Sequence, residues 1–215
     1  MGRPSRALMV LFVLVVLAGR SLNAHPHMFF SSEVEFVWSG ERLSGAYLDW
    51  TFDSFFSADL IHGYDHNRDG KFDATETREI FNNAFTNLRH YYYFTFIRQQ
   101  SKRSNPAAVK EFSARQRNGT VSYRFYIDLS GYAPGELFLA VYDYTFFCDI
   151  RPGEQPVRLR YEPALVRPRF EIVENKDYPV YYDPLATADD TTVHYSYRPG
   201  LKTYYPKEIR IYYDN

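Results

Sequence analysis

The stretch from Asp65 to Glu76 has oxygen-bearing side chains at positions that are typical of a tight loop between two helices. Its sequence, DHNRDGKFDATE, matches the pattern D-x-[DN]-x-[DN]-G-x5-E at every specified position. Gly70 stands at the sixth position, where the chain turns sharply and a Cβ atom would be unfavourable. This order is typical of an EF-hand calcium loop, whose expected Ca²⁺ ligands are Asp65, Asn67, Asp69, the Lys71 main-chain carbonyl, Asp73 and Glu76.

An acidic surface loop that binds nothing is the alternative interpretation of the same stretch. If calcium binds, it can act as a structural brace or as a regulatory switch, and we favour the brace, a common use of calcium in exported modules. A lone EF-hand usually pairs with a second one, and the sequence contains no second loop of this pattern. We therefore expect the rest of the domain to support the loop.

Residues 1–24 have the organisation of a secretory signal peptide. Arg3 and Arg6 precede an apolar run from Ala7 to Ala18 that is short for a membrane span, and Ala24 ends a plausible cleavage site. An uncleaved membrane anchor is the alternative. We predict a periplasmic or otherwise exported protein with one mature α+β domain at residues 25–215.

Composition narrows the function classes. The formal net charge is −1, and residues 1–24 hold three arginines and no acidic residue, which leaves about −4 for the mature chain. This mild acidity argues against nucleic-acid binding. The 20 tyrosines and 18 phenylalanines favour sheet and could also form a sugar-binding surface. Cys148 is the only cysteine, so no intrachain disulfide can form, and we expect this thiol to be buried.

Alternating apolar and polar residues predict a mostly antiparallel, sandwich-like β domain with an EF-hand helix–loop–helix inserted at about residues 53–98. The outgoing helix is expected to start near Thr75 and to end near Arg98. Asn118-Gly119, between two alternating segments, predicts a type I′ hairpin turn. Further strands are expected at residues 29–38, 43–52, 137–150, 157–161, 169–174, 193–197 and 209–213.

Two histidines would stand at the new N-terminus after cleavage behind Ala24. The free amine and the His25 imidazole can chelate one transition metal, and His27 can add a second ring if the chain curves back. Imidazole donors suit Zn²⁺, Ni²⁺, Co²⁺ or copper; the alternative is that these histidines have no specific role. Strand pairing could bring Asp49 and Asp53 towards them. No nucleophile elbow, P-loop or dinucleotide fingerprint is present, so we do not expect an enzyme.

Four segments together resemble an exported bacterial family: 25–29, 50–53, the Asp65–Glu76 loop and 141–147. That family has no assigned biochemical activity and is described as the periplasmic component of an uncharacterised ABC-type transport system. Its members are often linked with nickel, cobalt or zinc transporters, so the resemblance implies membrane metal-transporter components as partners. The resemblance covers most of residues 25–150, and the chain departs from the family pattern at Tyr144, where proline is expected.

Two functional hypotheses follow. In the first, calcium braces the helices of a periplasmic accessory protein while His25 and His27 pass a transition metal to a membrane transporter. In the second, the chain is a calcium-stabilised exported binding module for a protein or polysaccharide partner. The sequence leaves the oligomeric state open.

Overall fold

The computed structural model describes residues 26–187, 189–190 and 192–214, so the expected signal peptide and His25 lie outside the described residues. Strands predominate over helices in this part of the chain, in agreement with the α+β prediction. The strands form two five-stranded sheets and one two-stranded sheet. None of the described helices is long and apolar enough to cross a membrane.

The first sheet is built from two hairpins and one later strand: β1 (Met28–Ser39), β2 (Arg42–Phe52), β5 (Lys110–Arg117), β6 (Thr120–Asp128) and β8 (Cys148–Arg160). Their order across the sheet is β5-β6-β2-β1-β8. Neighbouring strands are antiparallel except β1 and β8, which run parallel. The first sheet is therefore mostly antiparallel, as expected, with one parallel pair at β1 and β8.

The Asn118-Gly119 turn between β5 and β6 confirms the predicted hairpin. Both residues have positive φ angles, 52° and 76°, as a type I′ turn requires. Arg117 pairs with Thr120 directly across the turn. The register of this hairpin is fixed by the turn, because only Gly and Asn adopt this backbone at low cost.

The second sheet is antiparallel throughout and contains β3 (Thr95–Gln99), β4 (Lys102–Ser104), β7 (Gly135–Val141), β9 (Arg169–Glu174) and β12 (Lys207–Tyr213). Its order is β4-β3-β7-β12-β9. Two short strands, β10 (Val180–Tyr182) and β11 (Lys202–Tyr204), form a separate antiparallel pair.

The helical segment lies between β2 and β3. It comprises α1 (Ser54–Tyr64), α2 (Ala74–Asn83) and a 3₁₀ segment (Phe85–Phe94). The prediction of one helix to about Arg98 was wrong: α2 ends at Asn83, and the 3₁₀ segment that follows ends in left-handed residues, Tyr92, Tyr93 and Phe94, with φ angles of 58°, 49° and 50°. A right-handed helix cannot continue through such residues.

Two strand predictions also failed. The chain does not run straight from Leu137 to Ile150; it leaves the second sheet after Val141 and enters the first sheet at Cys148. The Asp143 carboxylate holds this turn, because it accepts the Thr145 N–H at 2.8 Å and the Cys148 N–H at 3.0 Å. Residues 193–197 contain only one isolated bridge, between His194 and Tyr181.

Both sheets and the helices contribute side chains to one buried cluster. Within it, the Trp50 ring of β2 lies 4.8 Å from Phe125 of β6, and Phe85 of the 3₁₀ segment lies 4.9 Å from Phe125. Trp38 of β1 meets Tyr213 of β12 at 5.5 Å, which connects the two sheets. Each fully buried aromatic side chain contributes about 1.5–3 kcal/mol. The segment between α1 and α2 is thus anchored to the core on both sides.

Candidate metal centre

The Asp65–Glu76 loop connects two helices with well-defined starts. Asp53 caps α1 by accepting the Phe56 N–H at 2.9 Å. Asp73 caps α2 by accepting the N–H groups of Thr75 at 2.7 Å and Glu76 at 2.9 Å. Glu76 returns a bond by accepting the Asp73 N–H at 2.9 Å, which completes a capping box. Two of the expected calcium ligands therefore also fix the beginning of α2.

The first half of the loop curls its side-chain oxygens inward. The two carboxylate oxygens of Asp65 accept the N–H groups of Asp69 and Gly70, each at 3.2 Å. Asn67 accepts the Asp69 N–H at 2.8 Å, and Asp69 accepts the Lys71 N–H at 2.9 Å. Gly70 has a φ of 78°, the backbone that the sequence pattern required at the sixth position.

Two carboxylates of the loop are buried. Glu76 is 3% exposed and Asp65 is 8% exposed. Besides its bond to Asp73, Glu76 accepts the His66 N–H at 2.9 Å, so its carboxylate spans both ends of the loop. In the part of the chain that the structure describes, no Lys, Arg or His nitrogen lies within ion-pair distance of either carboxylate.

The donor set of the loop consists of oxygen atoms only. Four carboxylates, one amide oxygen and one main-chain carbonyl suit a hard cation such as Ca²⁺ and do not suit zinc, nickel or cobalt. Among residues 26–187, 189–190 and 192–214, no three His, Cys, Asp or Glu side chains converge as a group that could hold a metal ion. In this conformation the loop oxygens face main-chain N–H groups, and calcium binding stays a prediction.

The first sheet supports the loop from the side. Gln116, near the end of β5, donates its side-chain N–H to Asp65 at 3.3 Å. A Cβ atom placed on Gly70 would meet the Gln116 amide at 4.0 Å. On α1, the Ser57 hydroxyl accepts the Val121 N–H of β6 at 3.0 Å. The first sheet thus contacts both the Asp65–Glu76 loop and α1.

The His66 ring contacts a carboxylate outside the loop. Its Nε2 lies 2.8 Å from a carboxylate oxygen of Glu79 on α2. That hydrogen bond raises the pKa of His66, and the charges of Glu79, Glu76 and Asp73 act in the same direction against the opposing effect of desolvation. His66 therefore has a local partner, in line with the non-ligating second position of the loop.

His27 is the one histidine of the expected transition-metal pair that the structure describes. It lies directly before β1, where its N–H donates to the Phe147 carbonyl at 2.8 Å and its ring lies 5.1 Å from the Phe147 ring. His25 lies outside the described residues. The His25–His27 chelate therefore stays a prediction.

The two aspartates that strand pairing could bring to the histidines have different positions. Asp53 accepts the Phe29 N–H at 3.1 Å, so its carboxylate lies at the same end of β1 as His27. Asp49 lies further along the sheet and is bound by Arg124 and by Arg158, the latter at 2.6 Å. Only Asp53 is thus brought near the start of β1.

Sequence analysis did not anticipate a cleft of about 570 Å³ beside the second sheet. Its lining combines aromatic, charged and small apolar side chains: Tyr92, Phe96, Arg103, Tyr142, Tyr144, Asp177, Tyr178, Pro179, Val180, Tyr181, Val193, His194 and Tyr195. These residues come from several segments that are far apart in sequence, and Arg103 stands in a polar stretch with no recognisable motif. The dense tyrosines between residues 178 and 197 were the one available signal.

Comparisons with known proteins give a family but no activity. A family model described as "Protein of unknown function (DUF1007)" matches residues 9–213. An "Uncharacterized 15.5 kDa protein in trpE 3'region" from Spirochaeta aurantia is 34% identical over 93 residues. This alignment covers 42% of the present chain and 66% of the relative, slightly under two thirds of its length. No solved structure matches the chain.

Proposed function

We propose that this chain, which belongs to the DUF1007 family of proteins of unknown function, is an exported calcium-binding protein. The Asp65–Glu76 loop holds one Ca²⁺ through its carboxylates, the Asn67 amide oxygen and the Lys71 carbonyl. The ion serves as a brace that fastens α1 and α2 to β5. Export is supported by the charge and hydropathy pattern of residues 1–24.

The burial of Asp65 and Glu76 without a basic partner is the observation that carries this proposal. An ionised carboxylate taken out of water costs free energy unless a cation or several hydrogen-bond donors compensate for it. Main-chain N–H groups supply part of the compensation here. A divalent cation among these oxygens supplies the remainder, and it also offsets the mutual repulsion of four carboxylates.

A brace fits the surroundings of the loop better than a switch. A regulatory EF-hand opens its helices and exposes an apolar groove. Here Leu60 of α1 and Ile80 of α2 are buried in the core that both sheets share. Exposing them would cost about 1.5–3 kcal/mol each. Calcium therefore stabilises a helix pair that is already packed in the core.

An accessory role in nickel, cobalt or zinc transport is a separate part of the proposal. Its support is the family resemblance and the His25-Pro26-His27 sequence. Membrane transporter components in the periplasm would be the partners. Metal analysis of the mature protein, with and without His25→Ala and His27→Ala, tests this part independently of the loop.

Thermal unfolding with and without calcium tests the brace. For a Kd of about 10 µM, 1 mM Ca²⁺ adds about 2.7 kcal/mol of stability. In a domain of this size the expected rise in Tm is about 5 to 10 °C. Glu76→Gln should abolish most of that rise, because one charge and one ligand oxygen are lost while an acceptor for the capping box is kept.

Asp59→Asn is the matched control, since Asp59 is an exposed acid on α1 outside the loop. This variant should keep the full response to calcium. The proposal is contradicted if wild type and Glu76→Gln have the same Tm difference between calcium and chelator. Calorimetric titration that detects no Ca²⁺ binding up to millimolar concentrations would contradict it equally.

A further inference from the structure

The cleft beside the second sheet contains one guanidinium group, that of Arg103. Its Cζ atom lies 4.3 Å from the ring centroids of both Phe96 and Tyr178. One of its N–H groups donates to the Tyr142 hydroxyl. The side chain is half-buried and is held in place by aromatic rings.

Arg103 has no carboxylate partner among the residues that the structure describes. The buried Glu208 of β12 is bound by Arg98 instead, at 2.7 Å. A guanidinium has five N–H donors in a planar fork that matches a carboxylate. The donors of Arg103 that Tyr142 does not use can therefore meet an anionic group in the cleft.

Tyrosine rings form much of the remaining wall. The ring centroids of Tyr92 and Tyr144 are 5.9 Å apart, and the Tyr195 side chain at the rim is 91% exposed. Such rings offer apolar faces for a flat or ring-shaped ligand, and their hydroxyls offer hydrogen bonds. His194 and Asp177 add further polar groups to the lining. This mixture fits a ligand with one anionic group and several hydroxyls.

The backbone below this wall is strained in a way that serves the cleft. Tyr92, Tyr93 and Phe94 are three consecutive left-handed residues, each at a cost of about 1–2 kcal/mol. Tyr93 and Phe94 are buried in the core, whereas Tyr92 is 45% exposed and lines the cleft. Strained backbone of this kind occurs preferentially at ligand-binding sites.

We propose that this cleft binds a sugar acid. The carboxylate of a uronic-acid unit pairs with Arg103, and one face of its pyranose ring packs on the Tyr92 and Tyr144 rings. The ring hydroxyls bond to tyrosine hydroxyls, His194 and Asp177. This site lies on the second sheet, apart from the calcium loop at the edge of the first, and does not depend on calcium binding for its chemistry.

Calorimetric titration of the full chain with a galacturonate trimer, a neutral galactose trimer and benzoate tests the proposal. The acidic trimer should bind at least about 10-fold more tightly than the neutral one, as expected for one charge-assisted contact. Arg103→Met should weaken binding of the acidic trimer about 10- to 100-fold. Arg103→Lys should fall between, because lysine keeps the charge and loses the planar fork.

Two further variants separate binding from folding. Arg167→Met removes an exposed arginine outside the cleft and should leave the affinity unchanged. Tyr92→Gly removes one ring and suits the left-handed backbone, so it should weaken binding with a small change in Tm. Equal affinity for the acidic and neutral trimers, or unchanged affinity in Arg103→Met, overturns the proposal. The proposal is also overturned if no binding of the acidic trimer is detected at about 10 mM, or if benzoate binds more tightly than the galacturonate trimer.

Discussion

The position of Cys148 at the start of β8 buries its thiol. The side chain is 2% exposed and unpaired with any other cysteine. Burial raises the pKa of the Cys148 thiol well above its usual value, and the nearby Asp143 carboxylate adds to this effect. The stability contributed by the protonated thiol is complete below about pH 8.5 and is lost as the pH rises above it. The expectation of a buried structural cysteine is confirmed.

Chemical modification should reflect this burial. In the folded protein at pH 8, we expect Cys148 to react with iodoacetamide only at the rate of local or global opening, because burial blocks access to the thiol and disfavours the thiolate. In guanidinium chloride the same thiol should react at the rate of an unfolded peptide. Asp143→Ala, which releases the turn, should raise the rate in native buffer; rapid modification of the folded wild type would contradict the assignment.

At the scale of elements, a ladder of charges joins four strands of the first sheet. Asp49 of β2 is bound by Arg124 of β6 and by Arg158 of β8. Arg124 also pairs with Glu35, and Arg158 pairs with Glu33, both on β1. On β1, β2 and β6 these side chains alternate with buried apolar residues of the same strand. The ladder therefore ties the parallel strand β8 to the two hairpins.

Asp49→Ala should lower the free energy of unfolding by about 1–3 kcal/mol, because two partly buried arginines each lose a partner. Urea denaturation at pH 7 measures this loss. Glu174→Ala is the control, since the Glu174–Lys176 pair is exposed and should contribute less than about 1 kcal/mol. Equal losses in the two variants would show that the ladder adds nothing beyond ordinary surface pairing.

The features of helices, strands and turns that could be predicted from the sequence are those that depend on residues close together in the chain. The Asn118-Gly119 hairpin and the turn at Gly70 in the Asp65–Glu76 loop each depend on neighbouring residues, so the sequence alone predicts their backbone conformation. The left-handed turn at Tyr92–Phe94 was not predicted, because the spacing of its aromatic residues fits a helix equally well; Tyr93 and Phe94 pack in the core. No local pattern encodes contacts between segments that are far apart in sequence. Such contacts include the parallel pairing of β1 with β8, the Gln116–Asp65 hydrogen bond and the surroundings of Arg103.

At the scale of the whole molecule, the two sheets and the helix pair share one buried cluster. The first sheet contributes Trp38 and Trp50 to that cluster, and their fluorescence depends on its packing. The helices contribute Leu60 and Ile80. An ion that stabilises the helices must then stabilise the sheets as well. Cooperative unfolding of the entire described domain is the physical consequence.

Thermal unfolding followed by far-ultraviolet circular dichroism and by tryptophan fluorescence should therefore give coincident transitions. Adding 1 mM Ca²⁺ should move both to the same higher Tm, since the fluorescence probes lie in the core that the braced helices share. Glu76→Gln provides the comparison: its two transitions should coincide, and Ca²⁺ should shift them by much less than in the wild type. A calcium-dependent shift in ellipticity alone would mean that the helical segment unfolds on its own.

The contact between Gln116 and Asp65 has a consequence for the order of folding. The two residues are 51 positions apart, and Gln116 reaches the loop only after the β5–β6 hairpin has closed in its correct register. In a nascent chain the Asp65 carboxylate would thus lack its contact with the first sheet until that long-range closure is made. Calcium should then act late, slowing the unfolding rate of the finished molecule while leaving its folding rate almost unchanged.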